Sequence, residues 1–336
     1  MTISPNYFTF NMPTLRDIYL ARQRIAGIIR HTPLLPSPKL STPDYEVFLK
    51  LDSLQDTGAF KLRGASNKIL SLSDEERARG VVTVSTGNHG RAVAYVAQKL
   101  GIRAVVCLSH DVPQNKVAAI RALGAELEIV GRSQDDAEVR AKELRDDEGL
   151  TWVPPFDDPA VIAGQGTLGL ELLIDLPDID TALIPLSGGG LFGGVALALK
   201  SADPNIRTIG VSMERAPVMV KSLEAGEPVE LPEQDTLADS LRGGIGLDNR
   251  YTFALARRYL DDTVLLSEDD IGAGMAFAFY EHGVVLEGAG AVGIAALLRG
   301  KVANVGRRVA VLACGRNVDP NRFLAVLAQH PPETFS

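Results

Sequence analysis

The stretch Gly58-Ala59-Phe60-Lys61-Leu62-Arg63-Gly64-Ala65 sets one lysine between glycines, an aromatic ring and an arginine. An amine beside Phe60 and near Arg63 would have its charge opposed by desolvation and by a like charge. That makes it more nucleophilic and suits it to Schiff-base chemistry with a carbonyl. A single lysine is more often a solvated surface charge. Two further loops shift that balance.

Ser85-Thr86-Gly87-Asn88-His89-Gly90 follows an apolar run and opens a helical pattern. Free backbone N–H groups and the positive helix end then face whatever sits above the sheet, a seat for a carboxylate. Alone, the loop reads equally well as an ordinary capped turn. Ser187-Gly188-Gly189-Gly190-Leu191-Phe192-Gly193-Gly194 also lies between a strand-like run and a helix, and its glycines let N–H groups turn inward around phosphate oxygens. Gly188, Gly190 and Gly193 meet the spacing of a dinucleotide fingerprint, with Glu214 near the end of the next run. An NAD-dependent dehydrogenase is therefore a rival class, although it leaves the Lys61 and Asn88 loops without work. No Lys-Ser or Lys-Thr follows the glycines, which removes a nucleoside-triphosphate loop. Lysine, carboxylate seat and phosphate cradle together specify pyridoxal 5'-phosphate and an amino acid.

The elements that must position these loops alternate between β-rich and helical runs. Strands are predicted at Val81 to Val84, Ala104 to Leu108, Leu127 to Val130, Ala182 to Leu186, Thr208 to Met213 and Val309 to Cys314. Helices between them include His89 to Leu100, stopped by Gly101, and Asn115 to Leu123, stopped by Gly124. Alternation of this kind implies an α/β fold with largely parallel sheets covered on both faces. An amphipathic helix is predicted from Leu15 to Ile29 with Thr14 as its cap. The proline-rich, acidic stretch Trp152 to Pro159 reads as a crossover between two sheet systems.

The 336 residues, 46% hydrophobic and 23% charged, are those of a folded globular chain large enough for two domains. A net charge of -8 without a basic patch argues against nucleic acid as a partner. No apolar run approaches a membrane span and the first eleven residues lack a signal-peptide pattern, so a cytoplasmic enzyme without membrane partners is expected. Cys107 and Cys314 are too few for a disulfide framework or a zinc site.

Five motifs carry a resemblance: GAFKLRGA at Lys61, STGNHG at Asn88, SGGGLFGG at Gly188, TLAD at 236–239 and CGRN at 314–317. In this order the chain, over about residues 14 to 325, resembles the fold-type II pyridoxal-phosphate enzymes of the serine/threonine dehydratase and serine racemase family. The resemblance implies a tryptophan synthase β-like fold of two three-layer α/β/α domains: a small one at 80–157 and a large cofactor-binding one at 1–79 and 158–336. Lys61 would form the Schiff base with Phe60 beside it, and Asn88 would bond the ring hydroxyl. Ser187, Gly188, Gly189, Gly190 and Leu191 would hold the phosphate, and Cys314 would face the pyridine nitrogen. Ser85, Thr86, Gly87 and His89 would hold the substrate carboxylate. The implied reaction is β-elimination from a 3-hydroxy amino acid, Lys61 taking the α-proton and hydroxide leaving, to give a 2-oxo acid and ammonia. A homodimer is the family's habit, and nothing after Gln329 suggests an added regulatory domain.

Three departures narrow this expectation. Thr86 stands where the family's racemases have serine, which argues against racemisation without excluding it. Ser212 and Val218 stand where the family's cation site takes acidic residues, with Glu214 nearby, so no metal of the usual kind is expected. Cys314 and Arg316 replace a serine and a small residue. A thiol is a weak hydrogen-bonding group, in keeping with elimination. Arg316 is either a surface arginine or a partner for an acidic substrate side chain. These features are most similar to the hydroxyectoine-utilisation dehydratase branch, with threonine or serine as the default substrate and 3-hydroxyaspartate or phenylserine as alternatives.

Overall fold

In the computed structural model the described residues are 11–335 apart from 86, 111, 113 and 133. In chain order the elements are α1 (Leu15–Ile25), β1 (Leu34–Pro36), β2 (Glu46–Lys50), α2 (Lys61–Leu70), α3 (Asp74–Arg79), β3 (Val81–Val84), α4 (Asn88–Leu100), β4 (Ala104–Leu108), α5 (Gln114–Arg121), β5 (Glu126–Ile129) and α6 (Gln134–Glu148). There follow β6 (Thr151–Trp152), α7 (Pro159–Asp175), β7 (Thr181–Pro185), α8 (Gly190–Ala202), β8 (Arg207–Met213), α9 (Val218–Ala225), α10 (Thr252–Tyr259), β9 (Asp262–Leu266), α11 (Glu268–His282), α12 (Gly288–Leu298), β10 (Arg308–Leu312) and α13 (Pro320–Gln329).

Two sheets organise the chain, one of order β1-β2-β10-β7-β8-β9 and one of order β5-β4-β3-β6. Every pairing is parallel except that of β1 with β2. Because side chains alternate along a strand, each sheet separates two cores. Leu183, Val309 and Val311 enter one apolar cluster with α11 and α12, while Ala182, Ile184, Ala310 and Leu312 enter another with α8. In the smaller sheet Val81, Val106 and Leu108 face α4, whereas Val82, Val105 and Cys107 face α6. Both sheets are thus the middle of an α/β/α sandwich. The face of α2 carrying Leu62, Ala65 and Ile69 packs into the core shared with α4, so the Lys61 helix bears on the smaller sheet although it precedes it in the chain.

β3 and β4 match the predicted runs residue for residue, and β5, β7, β8 and β10 differ by one or two positions at their ends. β1, β2, β6 and β9 were not legible: β1 and β6 have only three and two residues, and β2 and β9 carry charged or part-exposed positions. The first helix ends at Ile25, four residues short of the expected Ile29. Its carbonyl there takes both the Ile28 and Ile29 N–H groups, and the Gln55 amide then holds the backbone of Arg30 through bonds of 3.1 and 2.8 Å. That tertiary clamp ends the helix where its own pattern would continue.

Candidate active site

The site forms where parallel strands end. The carboxyl ends of β3, β7 and β10 lead into the Ser85, Ser187 and Cys314 segments respectively, and the Lys61 helix starts beside the last of these. The Phe60 N–H donates to the Cys314 carbonyl at 3.0 Å, and Ala59 bridges Gly315. This short backbone pairing sets the first turn of α2 against the end of β10.

Lys61 lies with its Nζ 5.3 Å from the centre of the Phe60 ring and donates to the Pro155 carbonyl at 2.6 Å. Burial lowers its pKa to about 8, opposed by the nearby Cys314. The expected help from Arg63 is corrected by the structure. Arg63 points away from Lys61 into a buried ion cluster, with Asp52 at 2.9 and 2.7 Å and Glu171 at 2.7 Å. Desolvation alone depresses the amine. Burial disfavours the Arg63 charge too, yet Asp52 and Glu171 override it and keep that guanidinium protonated. Lys50, fully buried, joins the same cluster through Glu171 and Asp175, each at 2.8 Å.

The Cys314 thiol is buried and held neutral: burial raises its pKa well above the ordinary thiol value, and Glu287 and Asp52 add to the rise. Asn88 is fixed at both ends of its amide. Its Nδ2 donates to Glu287 Oε1 at 2.8 Å and to Ser240 at 3.4 Å, while Asn317 donates to its Oδ1 at 2.7 Å. The Asn317 N–H in turn donates to Glu287 Oε2 at 3.0 Å. Glu287, Asn317, Ser240 and Pro155 are neighbours that the sequence did not single out. Asn317 and the residue before Ser240 lie inside quoted motifs, but Glu287 and Pro155 carry no local signal.

At the loop after β7, Gly189 adopts φ +83° and caps α8 without any side-chain hydrogen bond. A Cβ on Gly188 would stand 2.5 Å from the Phe156 ring, so Phe156 is seated on the loop. Gly194 serves packing instead, lying against Ile162 and Gly166 of α7. The loop thus divides into a beginning that lies against Phe156 and an end packed on α7. Leu191 is buried within the first turn of α8 and Ser187 is half-buried at its approach.

Two expectations need correction, one in the loop after β3 and one in the segment after β10. His89 is buried at 2% exposure with Nε2 at 2.9 Å from the Val153 carbonyl, and burial with the nearby Lys61 lowers its pKa to about 3. A carbonyl only accepts, so Nε2 carries the proton of a neutral ring and Nδ1, which has no partner, is an acceptor. The imidazole cannot donate to a carboxylate, and only the main-chain N–H of His89 remains for that task. Arg316 is exposed and is tied through its main chain, its N–H to the Gly58 carbonyl and its carbonyl to the Val318 N–H. The arginine the fold brings to the Asn88 network is Arg91, whose Nη1 donates to Asn317 at 2.9 Å. Gly87 opens α4 with no side-chain cap and clear space around its Cα, and its N–H reaches the half-buried Ser85 hydroxyl at 3.3 Å. Thr86 lies outside the described residues.

A depressed amine, two helix starts without side-chain caps and a neutral thiol gather at the strand ends of an α/β/α fold, an arrangement suited to an anionic cofactor that carries a carbonyl. The chain belongs to the family described as pyridoxal-phosphate dependent enzyme, whose model matches residues 25–315. Among its relatives, a Sinorhizobium fredii protein named "Putative threonine dehydratase" is 52% identical over 91% of this chain and 92% of its own. The L-threonine ammonia-lyase of Thermotoga maritima is 42% identical over 92% of this chain and 77% of its own. The solved T.th. threonine deaminase superposes with a TM-score of 0.85 at 39% identity, covering 91% of this chain and 99% of that one.

Pyridoxal phosphate fits the residues present, which offer an amine for its aldehyde, helical N–H groups without a side-chain cap for its phosphate and, in the Asn88 N–H that makes only a long bond to Ser240, a donor for its ring oxygen. The dinucleotide reading falls with the family assignment, and Glu214, its supposed ribose partner, lies 3.4 Å from Lys301 instead. Among the described residues no helix is long and apolar enough to cross a membrane, and no group of three or more metal-ligating side chains occurs. A free amine attacks a carbonyl only when neutral. Schiff-base formation by cofactor-stripped protein should therefore slow about tenfold per pH unit below about 8 and level off above it, as followed by absorbance.

Proposed function

We propose that this enzyme is a dehydratase, an ammonia-lyase that converts L-threonine or L-serine to a 2-oxo acid and ammonia. The observation that carries the reading is Lys61, a primary amine whose pKa burial brings to about 8, within reach of physiological pH as a base must be. When bound, pyridoxal phosphate supplies the carbonyl for the Schiff base and a sink for the electron pair of the α-carbon. The remaining work falls to the chain.

The amino end of α8, from Ser187 through Gly188, Gly189, Gly190 and Leu191, binds the phosphate with main-chain N–H groups. Asn88, its amide held by Glu287 and Asn317, gives the ring oxygen the N–H that otherwise makes only the long bond to Ser240, and Phe60 packs beside it. Ser85, Thr86, Gly87 and the His89 main chain bind the substrate carboxylate at the start of α4. Cys314 offers only a neutral thiol. Lys61 takes the α-proton, and hydroxide departs with a second proton. The relatives named for threonine dehydratase and L-threonine ammonia-lyase support the substrate class. We further propose a homodimer in which 80–157 is the smaller domain, with α2 leaning on it, and membership of the hydroxyectoine-utilisation branch.

The test is a panel of 3-hydroxy amino acids, with 3-hydroxyaspartate and phenylserine included, scored for 2-oxo acid and for the enantiomer of the residual substrate. Oxo acid from threonine or serine, with the absorbance band fixed on Lys61 by borohydride, is expected. A band with no product from any member would leave a cofactor-binding protein without this activity. Enantiomer without oxo acid would make the enzyme a racemase.

A further inference from the structure

The segment from Val153 to Asp158 leaves the smaller sheet after β6 and enters α7, and it touches several parts of the site in turn. The Val153 carbonyl takes His89, the Pro155 carbonyl takes Lys61, Phe156 lies on Gly188 and Gly190, and Asp158 caps α7. Pro154 and Pro155 have no N–H, so after the Val153 N–H pairs with the Val82 carbonyl the backbone ladder cannot continue. Its anchor is Asp157. That carboxylate accepts three main-chain N–H groups from a distant part of the chain, Arg250 at 2.7 Å and Tyr251 and Thr252 at 2.9 Å each, across the amino end of α10.

We propose that Asp157 is a positioning residue for the lysine base, acting through the Pro155 carbonyl two residues away. The inference rests on the reading of Lys61 given above. A carbonyl oxygen accepts but never donates, so one N–H of the free Lys61 amine is spent on Pro155 and the nitrogen lone pair is turned elsewhere. When that lone pair takes the proton leaving the α-carbon, the electron pair of the broken C–H bond stays on the substrate side. The resulting ammonium then holds Pro155 through a charge-assisted bond, stronger than the neutral one. The ammonium then gives that proton up to the departing hydroxide or to water, so that the neutral amine can re-form its own bond. Asp157 thus holds the lysine's resting contact, and with it the Phe156 ring on the phosphate loop, at a fixed distance from α10.

The experiment compares wild-type holoenzyme with Asp157→Ala and Asp157→Asn in three measurements. These are recovery of the Lys61 absorbance band when stripped protein is given pyridoxal phosphate, kcat and KM for L-threonine, and amide exchange across 249–253. Asp157→Ala should expose 250–252 to exchange, slow recovery about tenfold and lower kcat about tenfold, with KM within about twofold. Asp157→Asn keeps an acceptor oxygen for Tyr251 and Thr252, and should lose only about threefold in both rates. Faster exchange with recovery and kcat unchanged would make Asp157 a structural tether and overturn the proposal, as would an asparagine variant no better than alanine. If the alanine variant does not fold, asparagine decides alone: a threefold loss supports the role and wild-type rates overturn it. A wild-type protein that forms no band at Lys61 would instead sink the reading beneath it.

Discussion

Lys61→Ala is expected to lose turnover by about 10⁴-fold or more in kcat, because one amine serves as both covalent anchor and base. The variant should also lose the absorbance band near the visible edge, and borohydride should no longer fix the cofactor on the chain. The surroundings offer no substitute. His89 is a neutral ring with a pKa of about 3, too weak a base for an α-proton, and the Cys314 thiol is held far from ionisation by its burial. Lys61→Arg keeps the charge and most of the length but stays protonated, so it should be as inactive as alanine while preserving the fold. A Lys61→Ala protein with wild-type oxo-acid release would end the proposed mechanism.

Arg63→Ala should cost about 3–5 kcal/mol of folding stability, measured from the denaturant midpoint at constant m-value. Arg63 and Asp52 are both 0% exposed, and removing the guanidinium leaves the buried Asp52 carboxylate with only the neutral donors of Thr32 and Gln55, and Glu171 with Lys50 as its one remaining cation. The penalty comes from the stranded charge and not from a strong pair, since desolvation offsets most of what a buried pair gains. A loss below about 1 kcal/mol would mean that water reaches Asp52.

Arg63 marks a boundary between what can and cannot be read from residue order. Its neighbour Lys61 was legible because a nucleophilic lysine flanked by glycines and an aromatic ring is an unusual local composition. The cause assigned to its reactivity was wrong, since one turn of helix sends residues i and i+2 to different sides. Arg63 went to Asp52, a residue that nothing in the local pattern marks as its partner. His89 and Arg316 follow the same rule. Both lie in motifs, but the fold spends the His89 ring N–H on Val153 and leaves Arg316 at the surface. Arg91, one turn into α4, is the arginine that reaches the Asn88 network.

The sequence by itself determined the parallel α/β plan, because β3, β4 and β7 are buried on both faces and must therefore be continuous apolar runs. It also determined the loops after β3 and β7, because glycine and cap residues at strand ends are local necessities of a tight turn into a helix. Short or edge strands such as β1 and β6 left no such mark. Only the tertiary structure decided which groups meet. Pro155 and Lys61 are 94 residues apart, Asn88 and Glu287 199 apart, and Asp157 and Tyr251 94 apart. Contacts at those separations depend on how helices pack on two sheets, and packing is satisfied by volume and shape that no short stretch of residues records.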